Sequence, residues 1–184
     1  MRMNAQVEDS IARFIAHARV PGDGIGWTPS AKLHATLKFL GAAVESERLA
    51  RLGEALARVA SATATFEIRT RGTGVFPNPR RPRVIWAGLE SDALANLARR
   101  VEETASETGF ASDKRRWLPH LTLGRVRDPH GLMAAARVIA AAGERDFGIS
   151  RIDEMRLYRS HLAAGGTVYE TLARFEFAAP ALYE

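Results

Sequence analysis

Two stretches of the chain carry the same pattern, Leu33-His34-Ala35-Thr36-Leu37 and Pro119-His120-Leu121-Thr122-Leu123. One histidine with a threonine two residues on constrains little, because the pair arises by chance in many strands. Two copies, each inside an apolar run, constrain far more. In an extended strand alternate side chains share a face, so His34 and Thr36 project together and leave Ala35 and Leu37 for burial. His120 and Thr122 repeat the arrangement. Each copy sets a titratable imidazole beside a hydroxyl on one side and keeps an apolar side for the core. Facing each other across a cleft, the copies would gather two imidazoles and two hydroxyls, a set suited to acid/base chemistry on a phosphate.

The histidines are 86 positions apart, and 84 positions separate Val84 from Val168, a near-constant offset that signals an internal duplication. Apolar residues at helical spacing predict helices over 7–19, 46–60, 91–108 and 131–142, the second capped by Ser46. Alternation predicts strands over 30–40, 65–76, 83–89, 118–126, 149–159 and 168–177, the last two a hairpin turning at 163–166. Pro77-Asn78-Pro79-Arg80-Arg81-Pro82 is a connection that cannot sit inside a sheet, and 112–117 reads as a basic loop leading into the second motif. Two repeats are too few for a solenoid. The order of elements predicts an α+β fold of two pseudo-symmetric lobes in one domain over 1–184, duplicated at about 7–90 and 91–178. Each lobe is expected to be an antiparallel sheet with helices on its outer face, with the cleft between the lobes.

Composition narrows the chemistry. The 184 residues, 46% of them hydrophobic, suffice for one sizeable core, and no apolar run approaches the roughly 20 residues a membrane span needs. The start has no secretory apolar segment, and zero cysteines exclude disulfides and thiolate metal sites, so a cytoplasmic protein is expected. The net charge of +5 comes almost wholly from arginine, since lysine stands only at 32, 38 and 114. That balance favours an anionic partner, nucleic acid or a phosphate ester. A zinc site is the competing use of two histidines, but no carboxylate stands at ligand spacing near either motif. No metal and no cofactor are therefore expected. His17, His130 and His161 read as surface or loop residues, and Trp27, Trp86 and Trp117 as packing, with Trp117 the best candidate for a base-stacking role.

Taken together, Leu33 through Gly41, the run Gly74-Val75-Phe76-Pro77-Asn78-Pro79-Arg80-Arg81-Pro82-Arg83-Val84-Ile85-Trp86, Pro119 through Arg125, and Leu157-Tyr158-Arg159-Ser160 resemble the two-histidine (2H) phosphoesterase superfamily. Within it the sequence is most similar to the RNA 2',3'-cyclic phosphodiesterases, also called 2'-5' RNA ligases. The resemblance implies a bilobal fold and metal-free hydrolysis of a terminal cyclic phosphate on RNA to a 2'-phosphate. His34 would be the proton donor, His120 the proton acceptor, and Thr36, Thr122 and Arg125 would hold the phosphate. A regular strand puts Arg125 on the face opposite His120, so its part requires a twist or bulge. The chain departs from the family at its start, where Met1-Arg2-Met3-Asn4 replaces the usual apolar strand and leaves that sheet edge in question.

The chemistry stands without the family. Opening a cyclic phosphodiester needs a proton taken from water and another given to the departing ribose oxygen, and two imidazoles near pKa 6.5 supply both near neutrality. Donors aimed at the equatorial oxygens stabilise the growing charge. The partner the resemblance implies is RNA with a 2',3'-cyclic phosphate end or a cyclic nucleotide, with reverse ligation of 2'-5' junctions as a second outcome, and a monomer is expected. Two alternatives stay open: a 2H enzyme for a smaller ester, such as an ADP-ribose cyclic phosphate or a cyclic oligonucleotide, and a non-catalytic RNA-binding relative. Arg80, Arg81 and Arg83, like Arg115 and Arg116, fit either an RNA-backbone patch or a solvated turn.

Overall fold

Where apolar side chains recur at helical spacing, helices form, and they alternate with antiparallel strands throughout. The computed structural model describes residues 1–113, 116–128, 130–163 and 166–179. The order is α1 (Ala5–Ala18), β1 (Ile25–Trp27), α2 (Ser46–Ser61), β2 (Phe66–Phe76), β3 (Val84–Glu90), α3 (Asp92–Glu107), β4 (His120–Val126), α4 (His130–Ala142), β5 (Asp146–Ile152), β6 (Glu154–Ala163) and β7 (Gly166–Glu176). The Asn4 and Ser91 side chains cap α1 and α3 by accepting from the backbone N–H of Val7 and Leu94. Ser46 instead opens the first turn of α2, whose N-cap is Glu45 without a side-chain bond.

Two antiparallel sheets result: a five-stranded one in the order β1-β4-β3-β2-β5, and the β6-β7 hairpin. The expected α+β architecture is present, with strands from both sequence halves side by side in the larger sheet. Helices α1 and α4 pack on that sheet, against β5 and β2. Helix α2 packs on β7 and against α3. One hydrophobic core joins them, with Val7, Ile11, Leu52, Ile68, Ile85, Leu94 and Leu121 among its buried members.

Two expectations for strands are corrected. Residues 30–40 are not a continuous strand: Ser30–Lys32 form a 3-10 turn, and the first motif follows as extended chain tied to β4 by a single antiparallel bridge, Ala35 to Leu121. Edge space on β4 explains this, because Ile25–Trp27 already pair with 124–126 of β4 and leave only its first residues for the motif. The strand over 149–159 is two strands, β5 and β6, which join different sheets across Asp153. The short N-terminal run forms no strand of either sheet, though its backbone reaches the first motif. Met1 exchanges both backbone hydrogen bonds with Ala35, at 2.9 and 2.8 Å, and Met1 and Met3 are buried. The tip of the β6-β7 hairpin, Arg115 and the His130 side chain lie outside the described residues.

Candidate active site

The bridge between Ala35 and Leu121 organises the site. These residues occupy the same position in the two motifs, so the pairing is self-symmetric, as across a local twofold axis. Ala87 pairs with Leu121 on its other side just as Met1 pairs with Ala35, and the offset from 1 to 87 is again 86. Ala35 and Leu121 point into the core, at 2% and 0% exposure, so their neighbours point the other way. A regular register sets His34 opposite Thr122 and Thr36 opposite His120. The two histidines are then diagonal neighbours, about 7–8 Å apart at the backbone. All four side chains are half-buried.

Both rings are held the same way. His34 Nδ1 lies 2.8 Å from the Lys32 carbonyl oxygen and His120 Nδ1 lies 2.7 Å from that of Leu118. A carbonyl only accepts, so Nδ1 carries the proton in each neutral ring and Nε2 keeps its lone pair for the cleft. Each imidazole also meets an aromatic edge-to-face, His34 against Tyr169 at 4.7 Å and His120 against Phe76 at 4.9 Å. Tyr158 also approaches His34, with ring centroids 6.1 Å apart, and packs on Tyr169, while Trp86 packs on Phe76. Burial pushes the His34 imidazole below its ordinary 6.5; the bond to the Lys32 carbonyl opposes this, while the positive charges of Arg2 and His120 add to it.

Arg125 reaches this face through a bulge. Trp86 pairs with Thr122 and the next residue back, Ile85, pairs with Gly124, so Leu123 is the extra residue in β4. The inserted residue resets the alternation. Ala87 and Ile85 face the core beside Leu121 and Gly124, while Trp86 and Val84 face the cleft beside Thr122 and Arg125. Arg125 is exposed on the same side as His120 and Thr122, at the far end of the strand.

Supporting contacts draw the two motifs together. The Trp117 indole N–H donates to the Thr36 carbonyl at 3.1 Å, so this tryptophan ties the approach of the second motif to the first. Lys38, its side chain 4% exposed, donates to both Glu102 carboxylate oxygens and to the Ala111 carbonyl, and Glu102 accepts from the Asp113 N–H. Tyr158, Tyr169, Phe76 and Lys38 were not singled out by residue patterns. The first three come from strands remote in sequence, and of the four only Tyr169 lies outside the runs that carry the family resemblance. His34 lines a cavity of about 620 Å³ together with Thr36, Tyr158 and Tyr169, and His120 a smaller one of about 390 Å³ with Phe76 and Trp86. Among the described residues no three His, Asp or Glu side chains converge as a metal site, and no helix is long and apolar enough to cross a membrane.

Comparison with known proteins identifies the family and the fold. The sequence model of the 2'-5' RNA ligase superfamily matches residues 7–163. An RNA 2',3'-cyclic phosphodiesterase of Aeropyrum pernix is 34% identical over 170 residues, 91% of each chain. One of Archaeoglobus fulgidus is 38% identical over 145 residues, covering 78% of this chain and 79% of the relative. The crystal structure of TT0787 of Thermus thermophilus superimposes with a TM-score of 0.76 at 28% identity, over 94% of this chain and 93% of the other. E. coli LigT complexed with 3'-AMP shares the fold, with a TM-score of 0.77 at 24% identity over 96% and 94% of the two chains. With a family model spanning residues 7–163, a matched fold and relatives above 30% identity along most of its length, the chain belongs to the 2'-5' RNA ligase superfamily of two-histidine phosphoesterases.

Proposed function

We propose that the protein is an RNA 2',3'-cyclic phosphodiesterase that forms a 2'-phosphate by two-histidine acid/base catalysis. The observation that carries this reading is the self-symmetric bridge, which sets two imidazoles with free Nε2 atoms and two hydroxyls on one face. His120 Nε2 takes a proton from water as the water oxygen bonds to phosphorus. The bond from phosphorus to the ribose 3'-oxygen breaks, and His34 gives that oxygen its proton. Thr36, Thr122 and Arg125 hold the phosphate and offset the charge that builds on its free oxygens. With the 5'-hydroxyl of a second RNA in place of water, the same step leaves a 2'-5' linkage, which accounts for ligation as the other outcome. One chain supplies both histidines, so a cytoplasmic monomer suffices.

The deciding measurement is turnover of 2',3'-cyclic AMP and of a cyclic-phosphate-ended RNA by the purified protein, with product mapping. A 2'-phosphate product, lost in His34→Ala and in His120→Ala, is expected. Turnover of ADP-ribose cyclic phosphate with indifference to RNA would favour the small-ester reading. Binding of RNA with no turnover would favour the non-catalytic one.

A further inference from the structure

Beyond Arg125 the cleft face of the sheet runs out into the connection between β2 and β3, and this end is cationic. Arg80, Arg81, Arg83 and Arg125 are exposed, and none of them has an ion-pair partner among the described residues. Two arginines of the neighbouring strand β2 are neutralised: Arg69 pairs with Asp146 at 3.2 Å and Arg71 with Glu144 at 2.9 Å. The connection holds its arginines in place. Asn78 Oδ1 accepts from the Arg80 and Arg81 N–H groups at 3.0 and 3.2 Å, the Arg83 N–H donates to the Phe76 carbonyl at 2.7 Å, and Pro82 is buried. Val84 pairs with both Phe76 and Arg125, so the connection emerges beside Arg125. At the other end of the same face, past His120, stand the Glu90 carboxylate and the mutually neutralised Arg71 and Glu144 pair, with no cationic excess. A polyanion on this face is drawn to the arginine end.

We propose that Arg80, Arg81 and Arg83, continuing from Arg125, form the track for the phosphate backbone of RNA on the 5' side of the reacting end, and that this track makes the protein prefer polynucleotides to cyclic mononucleotides. The inference rests on the cyclic phosphodiesterase reading above. Reach decides the preference. At about 3.3 Å per residue, β4 carries the face roughly 15 Å from His120 to Arg125, and the connection extends it further. The connection begins after Phe76, whose ring meets His120, and Arg80 and Arg81 stand four and five residues beyond it, so on this proposal linked nucleotides arrive there and a mononucleotide does not. Guanidinium groups stay charged at any working pH and grip phosphate through paired N–H donors. Such backbone contacts are indifferent to sequence and weaken with salt.

The test compares the unaltered protein with an Arg80→Gln/Arg81→Gln double variant. Both are assayed on 2',3'-cyclic AMP and on cyclic-phosphate-ended RNAs of two, four and eight nucleotides, and both are titrated with a labelled octamer bearing a 2'-phosphate across a range of salt. Expected is a rise in kcat/KM with RNA length that the variant loses. Octamer binding should be about tenfold weaker, and its log–log salt slope should flatten by about 1.4, as for two lost single-strand contacts. Turnover of the mononucleotide should stay within about twofold. Equal losses on both substrates, or an octamer bound as tightly by the variant, would overturn the track. Turnover of neither substrate by the unaltered protein would instead sink the phosphodiesterase reading, while the binding titration still decides whether the arginines hold RNA.

Discussion

The two histidines are related by symmetry of position, yet their surroundings are unequal, and the difference bears on pH. Burial lowers the pKa of His34 from 6.5, so the free protein holds this ring neutral at pH 7. A general acid must be protonated to act. In the proposed mechanism kcat/KM, which reports the free enzyme, should therefore fall as pH rises through a value below 6.5. A phosphate between the histidines favours the charged ring, so the same limb of kcat should lie at higher pH. Coincident alkaline limbs above 6.5 in both profiles would remove His34 as the acid. Replacement of His34 or His120 by alanine should each cost about 10² to 10⁴ in rate. The double replacement should cost much less than the product, because the pair acts as one unit. Near-normal turnover in His34→Ala would exclude it from the reaction.

At the scale of elements, the hairpin of β2 and β3 buttresses His120 by way of a glycine. Gly74 pairs with Trp86, and a Cβ on Gly74 would lie 2.2 Å from the indole Cζ2, so the ring rests directly on bare backbone. Phe76 packs on that indole with ring centroids 5.3 Å apart and presents its edge contact to His120. Gly74→Ala should push the indole outward, cost about 1–3 kcal/mol by overpacking, and release the Phe76 contact. Urea unfolding should show the loss, and kcat should drop several-fold while the His34 side of the cleft is untouched. A Gly74→Ala protein with unchanged midpoint and kcat would show that the indole relocates freely. The bulge at Leu123 matters in the same way: one extra residue in β4 decides which face Arg125 occupies.

Across the whole molecule, the buried imidazole of His34 couples the fold to pH. Burial holds its pKa below 6.5. Below 6.5 the unfolded chain therefore binds a proton that the folded chain refuses, so stability must fall as pH drops through that range. The urea midpoint should decline there, and His34→Ala should flatten the decline. A midpoint that stays level would show that the folded protein accepts the proton as readily as the unfolded chain.

Local patterning was enough for the helices, for the β2, β3 and β4 strands, and for the pairing of histidine with threonine on one face, because each rests on side-chain periodicity within a few residues. The 86-residue offset made the duplication and the candidate catalytic residues legible as well. What local sequence could not decide was the competition for edges. Ile25–Trp27 took the end of β4, so the first motif became a single bridge rather than a strand, and Asp153 divided one apparent strand between two sheets. Nor could it supply the partners of the imidazoles. Tyr169 and Phe76 reach His34 and His120 from strands distant in sequence. The bulge at Leu123 arises only when β4 is matched against β3, since register is a property of two strands and neither sequence contains it alone.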